Sequence, residues 1–243
     1  MKMDVFPDSD TVAREAAKLI AKKAREAVAT RGKFAIAVSG GKTPWVMLRD
    51  LAQEDVPWNA VHVFQVDERI SPPGDPDRNL THLRESLLAN APLRPEQIHA
   101  MPVESCNFEG GSARYMVTLE EIAGSPPVLD LVHLGLGPDG HTASLVPGDP
   151  VLDLQDVDVA LTGTVYQGRR RMTLTYPIID RARFVLWLVT GGEKVTMLSR
   201  LLSADISIPA GRVRATDAVV FADHAAAGQT GQESMGRSGV SEP

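Results

Sequence analysis

Four short apolar runs, each ending in a polar segment that is glycine-rich in three cases of the four, limit what this chain can fold into. They span residues 34–38, 61–66, 129–134 and 184–189, and lead into Ser39-Gly40-Gly41, Asp67-Glu68-Arg69, Gly135-Leu136-Gly137 and Gly191-Gly192. Runs this continuous fit strands covered on both faces, and the helical periodicity between them makes the connections crossovers. The segment 9–31 is the clearest helix. Its Val12, Ala16, Leu19, Ile20, Ala24, Ala27 and Val28 recur at three- and four-residue steps ahead of Gly32. Further helical patterns cover 44–52, 79–89 and 193–202. The alternation predicts an α/β fold on a doubly wound, mostly parallel sheet flanked by helices. Residues 158–165 and 171–176 alternate more and contain Gly163, which predicts a hairpin or a small antiparallel edge; 218–222 reads as a last strand.

Residues 1–227 suit one domain of ordinary size, without internal repeats. From 228 to 243 the chain is Gly, Ser, Gln and Glu with hardly any large apolar residue, so it reads as a disordered tail that cannot offset its ordering entropy. Net charge is −6, with the basic residues scattered. Nucleic acid is therefore excluded as a partner, whereas a local basic pocket still suits an anionic metabolite. Cys106 is the only cysteine, so no disulfide forms within the chain, and a reducing compartment fits. The first residues lack the apolar stretch of an export signal, and no segment approaches the ~18 apolar residues of a spanning helix. The expectation is a cytoplasmic protein with no membrane partner, acting as a monomer or weak homo-oligomer.

Ligands of open α/β sheets bind at the carboxyl ends of the strands, where these polar segments fall. Ser39-Gly40-Gly41-Lys42-Thr43-Pro44 joins a strand to a helix, and its free amides with the Ser39 and Thr43 hydroxyls suit an anion. It lacks the spacing of a P-loop or a dinucleotide fingerprint, and a tight turn without a ligand reads equally well. In Asp67-Glu68-Arg69 the guanidinium suits bidentate phosphate and a carboxylate suits a sugar hydroxyl, although a solvated charge cluster has the same composition. Gly135-Leu136-Gly137-Pro138-Asp139-Gly140-His141-Thr142 is more specific. Its glycines and proline force a defined loop that presents a histidine, with Asp139 two residues earlier to orient the ring or bind a ligand hydroxyl. Lys194 follows Gly191-Gly192 in a first helical turn, where its charge opposes the helix dipole unless an anion sits beside it. His133, inside a strand, reads as core. No spacing suits a metal, and no nucleophile elbow is present, so a base here acts on water directly.

Taken in order, Ser39-Gly40-Gly41-Lys42-Thr43-Pro44, Asp67-Glu68-Arg69, the 134–144 segment, Arg171-Met172-Thr173-Leu174-Thr175 with Pro177, and Gly191-Gly192-Glu193-Lys194 resemble the 6-phosphogluconolactonase family over residues 5–227. The resemblance implies a modified Rossmann-like fold, neither metal nor cofactor, and hydrolysis of a phosphorylated sugar lactone. It makes His141 the general base, and assigns phosphate and neighbouring oxygens to the 39–43 loop, Arg69, Arg171 and Lys194, with Asp67 and Gly137 beside them. Arg78-Asn79 departs from the family's Ser-Asn pair, so Arg78 either joins the phosphate pocket or faces solvent. Glucosamine-6-phosphate deaminases share the Asp-Gly-His signature, but they carry a glutamate where this chain has Val146 and a tyrosine where it has Arg69. A non-catalytic sugar-phosphate regulator is a third reading; such proteins usually carry an added DNA- or partner-binding module, and no helix-turn-helix extension or basic arm is seen.

Overall fold

The helix predicted at 9–31 forms over those residues in the computed structural model, which describes residues 1–104 and 107–229. The Asp8 carboxylate accepts the Thr11 amide at its start (2.7 Å), and Gly32 ends it. The chain runs β1 (Lys2–Phe6), α1 (Ser9–Arg31), β2 (Phe34–Val38), α2 (Lys42–Leu51), β3 (Val61–Gln65) and β4 (Asp67–Arg69). It continues as α3 (Asn79–Leu83, extended by a π turn at Arg84–Leu88), β5 (Ile98–His99), α4 (Phe108–Ala123), β6 (Leu131–Gly135), β7 (Val159–Leu161) and β8 (Arg171–Leu174). α5 (Tyr176–Arg181), β9 (Val185–Val189), α6 (Val195–Leu202) and β10 (Ala218–Asp223) complete it.

Seven strands form one sheet in the order β1-β10-β9-β6-β2-β3-β5, and every pairing within it is parallel. Alternation in β2 serves both faces. Phe34, Ile36 and Val38 pack with residues of α1, α2 and α3, while Ala35 and Ala37 pack on the side of α4, α5 and α6. The strand order reverses at β2: β3 and β5 lie on one side, and the chain then returns to set β6, β9 and β10 on the other. The carboxyl ends of β2 and β6 therefore border the crevice in which ligands of such sheets bind.

The antiparallel element is not an edge of this sheet. β7 and β8 form the expected hairpin, but they join β4 in a separate three-stranded sheet, ordered β4-β8-β7. A single residue, Val66, separates β3 of one sheet from β4 of the other. Val66 donates its amide to Val38 O (3.0 Å) and accepts the Leu174 amide (2.8 Å), so the polar triplet after β3 becomes a strand. β1, β5, α4 and α5 are further elements that periodicity did not reveal. Of the segment read as a tail, Gly228 and Gln229 close a hydrogen-bonded turn on Ala225 and His224; residues 230–243, like Cys106, lie outside the described residues.

His133 is fully buried in β6, as its position in a strand implied, and burial pushes its pKa down to about 3. Its Nδ1 accepts the Ser39 amide (3.2 Å), so the neutral ring carries its proton on Nε2. Below pH 6.5 the unfolded chain binds a proton here that the folded chain does not, so folding stability falls as pH drops. The contribution approaches about 1.4 kcal/mol per pH unit between there and the folded pKa. Urea unfolding at pH 7, 6 and 5 is expected to show this slope, and His133→Asn, which keeps an acceptor for Ser39 but cannot titrate, is expected to flatten it by one proton.

Candidate active site

The crevice is fixed first by backbone. Besides the amide bond to the ring, the Ser39 hydroxyl donates to the His133 carbonyl (2.9 Å), tying the end of β2 to β6. The Ser39 hydroxyl is thus committed within the frame. No side chain caps α2 at Gly41, which leaves its first-turn amides free for a ligand. The Thr43 hydroxyl pairs with Thr190 (2.8 Å), and Lys42 is exposed.

The second sheet supplies charge. Antiparallel register sets Arg69 directly opposite Arg171 and Asp67 opposite Thr173. Like charges directly opposed destabilise a strand pair, so this arrangement asks for an anion. Asp67 meets only part of the need. Its Oδ2 lies 4.0 Å from Arg171 Nη1 and accepts the Ser144 hydroxyl (2.6 Å), and its Oδ1 accepts from Asn79 Nδ2 (3.2 Å). Asn79 Oδ1 and the Asp77 carbonyl accept from Arg69 Nη1 (2.9 and 2.7 Å). Among the described residues, Arg69 Nε and Arg171 Nε are buried without a partner. Burial pulls the Arg171 guanidinium below the ordinary arginine range; Asp67 opposes this, and Arg69 adds to it.

Glu68 serves the frame instead of the pocket. Fully buried, it accepts the Asn79 and Leu80 amides (both 2.8 Å), so it caps α3 from another strand and favours the dipole there. Arg78 neither lines the pocket nor faces solvent. It is buried against Glu68 (3.4 Å) and reaches Glu104 (2.6 Å).

The loop after β6 folds back on itself, with the Gly137 amide donating to His141 O (2.8 Å) and Thr142 Oγ1 to Gly135 O (2.9 Å). Residue 137 has to be glycine, because a Cβ there would stand 2.0 Å from His141 Nδ1. That nitrogen lies 2.5 Å from Asp139 Oδ1, which also accepts the His141 amide (3.1 Å). Tyr166 Oη donates to Asp139 Oδ2 (2.9 Å). Burial raises the Asp139 carboxyl, but the bonds and charge of His141 and the bond from Tyr166 outweigh it and hold the pKa below its ordinary value. A carboxylate at Oδ1 makes Nδ1 the protonated nitrogen and leaves Nε2 as the free base.

These parts meet in a cavity of about 230 Å³. Of the residues predicted from sequence, Ser39, Gly40, Asp67, Arg69, Gly137, His141, Arg171 and Lys194 line it, and Asp139 stands behind His141. Gly41, Lys42 and Thr43 line an adjoining recess of about 470 Å³ with Thr190 and Asp223, which shares Gly40 and Lys194 with the cavity. Asn79 and Gln167 also line the cavity, and Tyr166 borders His141. Sequence reasoning missed all three. The signals were the asparagine of Arg78-Asn79, at the place of the family's Ser-Asn pair, and the glycine that makes the hairpin turn at 167–168.

The fold and this site define a doubly wound α/β protein with a histidine and a cationic pocket at its topological switch. A family model described as glucosamine-6-phosphate isomerases/6-phosphogluconolactonase matches residues 7–222, and the chain belongs to that family. Among its relatives, the 6-phosphogluconolactonase of a Nostoc species is 33% identical, covering 93% of this chain and 96% of its own. That of Mycobacterium tuberculosis is 34% identical, over 86% and 89%. The crystal structure of the Thermotoga maritima 6-phosphogluconolactonase superposes with a TM-score of 0.81 at 27% identity, covering 91% of this chain and 98% of that one. A monomeric glucosamine-6-phosphate deaminase reaches the same TM-score at 18% identity, a likeness of fold alone.

Removing the Arg78 charge leaves Glu68 buried beside the pocket without its cation. Breaking a buried pair from one side costs about 3–5 kcal/mol. Arg78→Met, which keeps the volume, is expected to lower unfolding free energy in urea by an amount in that range; an unchanged value would show that the backbone amides alone hold Glu68.

Proposed function

We propose that the chain hydrolyses 6-phospho-D-glucono-1,5-lactone to 6-phosphogluconate, the lactone-opening step of the oxidative pentose phosphate pathway, with His141 as general base. The observation that carries this is the pairing of one oriented histidine with an under-compensated cationic pocket. Asp139 holds the imidazole through Nδ1 while Arg69 and Arg171 face each other across two strands. Relatives that bear the lactonase name match most of the chain at a third identity.

Phosphate binds Arg69, Arg171 and Lys194, with Asp67 and the 39–43 loop taking neighbouring oxygens. Water held at His141 Nε2 attacks the C1 carbonyl, and its proton passes to Nε2 as the carbon–oxygen bond forms. The tetrahedral oxyanion collapses, the bond from C1 to the ring oxygen breaks, and that oxygen takes the proton from Nε2, which restores the base. The reaction needs no second histidine and no carboxylate at position 146, where this chain places a buried valine. Every residue named comes from one copy of the chain, so the site is complete in a monomer. We place the reaction in the cytoplasm, in keeping with a single cysteine.

Freshly prepared 6-phosphogluconolactone is expected to turn over in an assay coupled to oxidation of the product, and glucosamine 6-phosphate is expected to be inert. Loss of a positioned general base commonly costs about 10²–10⁴-fold, so His141→Ala should lower kcat by that much at nearly unchanged KM. Near-normal turnover after subtraction of spontaneous hydrolysis would remove His141 from the role. A hydrogen bond to a charged group is worth about 1.5–3 kcal/mol. Arg69→Ala and Lys194→Ala should therefore raise KM roughly 10- to 150-fold, while equal hydrolysis of unphosphorylated gluconolactone would refute the phosphate pocket.

A further inference from the structure

Tyr166 sits at the tip of the β7–β8 hairpin, far in sequence from the loop that carries His141. The turn Tyr166-Gln167-Gly168-Arg169 is closed by both cross-strand bonds, Tyr166 N to Arg169 O (3.0 Å) and Arg169 N to Tyr166 O (3.2 Å). Its central residues have φ of 51° and 78°, the geometry of a two-residue hairpin turn that matches strand twist. Gln167 therefore holds a left-handed backbone that a side chain rarely adopts, and its Oε1 accepts from Arg171 Nη2 (3.1 Å). The hairpin is anchored at its base, where the Asp149 carboxylate accepts the Gly163 and Thr164 amides (3.0 and 2.8 Å). It is anchored on its flank, where Arg169 reaches Asp75 (3.1 Å).

A rigid tip delivers one side chain to three members of the site. Tyr166 Oη donates to Asp139 Oδ2 (2.9 Å) and lies 3.3 Å from His141 Nδ1. The ring edge meets the imidazole, with centroids 5.2 Å apart at 65°. The Arg171 guanidinium lies over its face at 5.0 Å. Both oxygens of Asp139 are thereby occupied, one by His141 and one by the phenol.

We infer that Tyr166 is a positioning residue for lactone hydrolysis: through Asp139 it fixes the orientation of His141. The inference rests on the function proposed above. With Oδ1 held by the imidazole Nδ1 and Oδ2 by the phenol, the Asp139 carboxylate cannot turn and the ring keeps one orientation; without the hydroxyl that restraint is lost.

The experiment compares kcat and KM of wild type, Tyr166→Phe, Asp139→Asn and the double variant on freshly prepared 6-phosphogluconolactone at neutral pH. Tyr166→Phe keeps the ring contacts and loses only the hydroxyl. Loss of a hydrogen bond to a charged group is worth roughly tenfold or more, so kcat is expected to fall by about that factor at steady KM. The substitution should have no further effect once Asp139 is asparagine. A raised KM with kcat intact, or losses that multiply in the double variant, would each overturn the inference. Absence of wild-type turnover would instead overturn the functional reading beneath it.

Discussion

The reversal of strand order at β2 is the constraint on which the site depends. Parallel strands need crossovers, and successive crossovers to one side leave no gap between neighbouring carboxyl ends. Only where the chain changes direction, between β2 and β6, do two such ends face an open crevice. Two hydrogen bonds from Ser39 to His133 fix that opening to one width. From it emerge the glycine loop at 39–41 and the loop that presents His141. The one-residue link at Val66 then folds a second sheet over the same place.

Charge is arranged there against local stability. The chain as a whole is acidic, yet its cavity collects Arg69, Arg171 and Lys194 around the single carboxylate of Asp67. Two opposed guanidiniums whose Nε atoms find no partner among the described residues are costly unless an anion lies beside them. The frame that tolerates this is itself polar and buried. Glu68 caps α3, Arg78 neutralises Glu68, and Asn79 at the helix start bridges Asp67 and Arg69. Donors and charges held this way need no rearrangement when negative charge develops on a substrate.

Much of this was legible in the chain itself. β2 and α1 form over the residues their patterns indicated, because long amphipathic stripes and fully apolar runs leave few alternatives. α4 escaped notice since Gly110 and Gly111 open it and it buries only Gly111, Tyr115 and Leu119. β4 escaped because its residues are Asp, Glu and Arg, and only the facing β8 makes them a strand. The local loops of the site were readable for the same reason that they are loops: glycine, proline and histidine at fixed spacing. Arg78 could not be placed, since its burial depends on Glu68 and Glu104. Tyr166 could not either, since its partner lies 27 residues away and is reached through a tertiary turn.

The account turns on which nitrogen of His141 is free. Asp139 held as a carboxylate dictates a proton on Nδ1 and, in the neutral ring, an unprotonated Nε2 on a residue that lines the cavity. Nitrogen-15 NMR of the imidazole in histidine-labelled protein at neutral pH reads this directly. The account predicts a protonated Nδ1 correlated with a slowly exchanging proton, together with a bare Nε2. A proton on Nε2 with Nδ1 bare would contradict it, because no base would then be presented to the water.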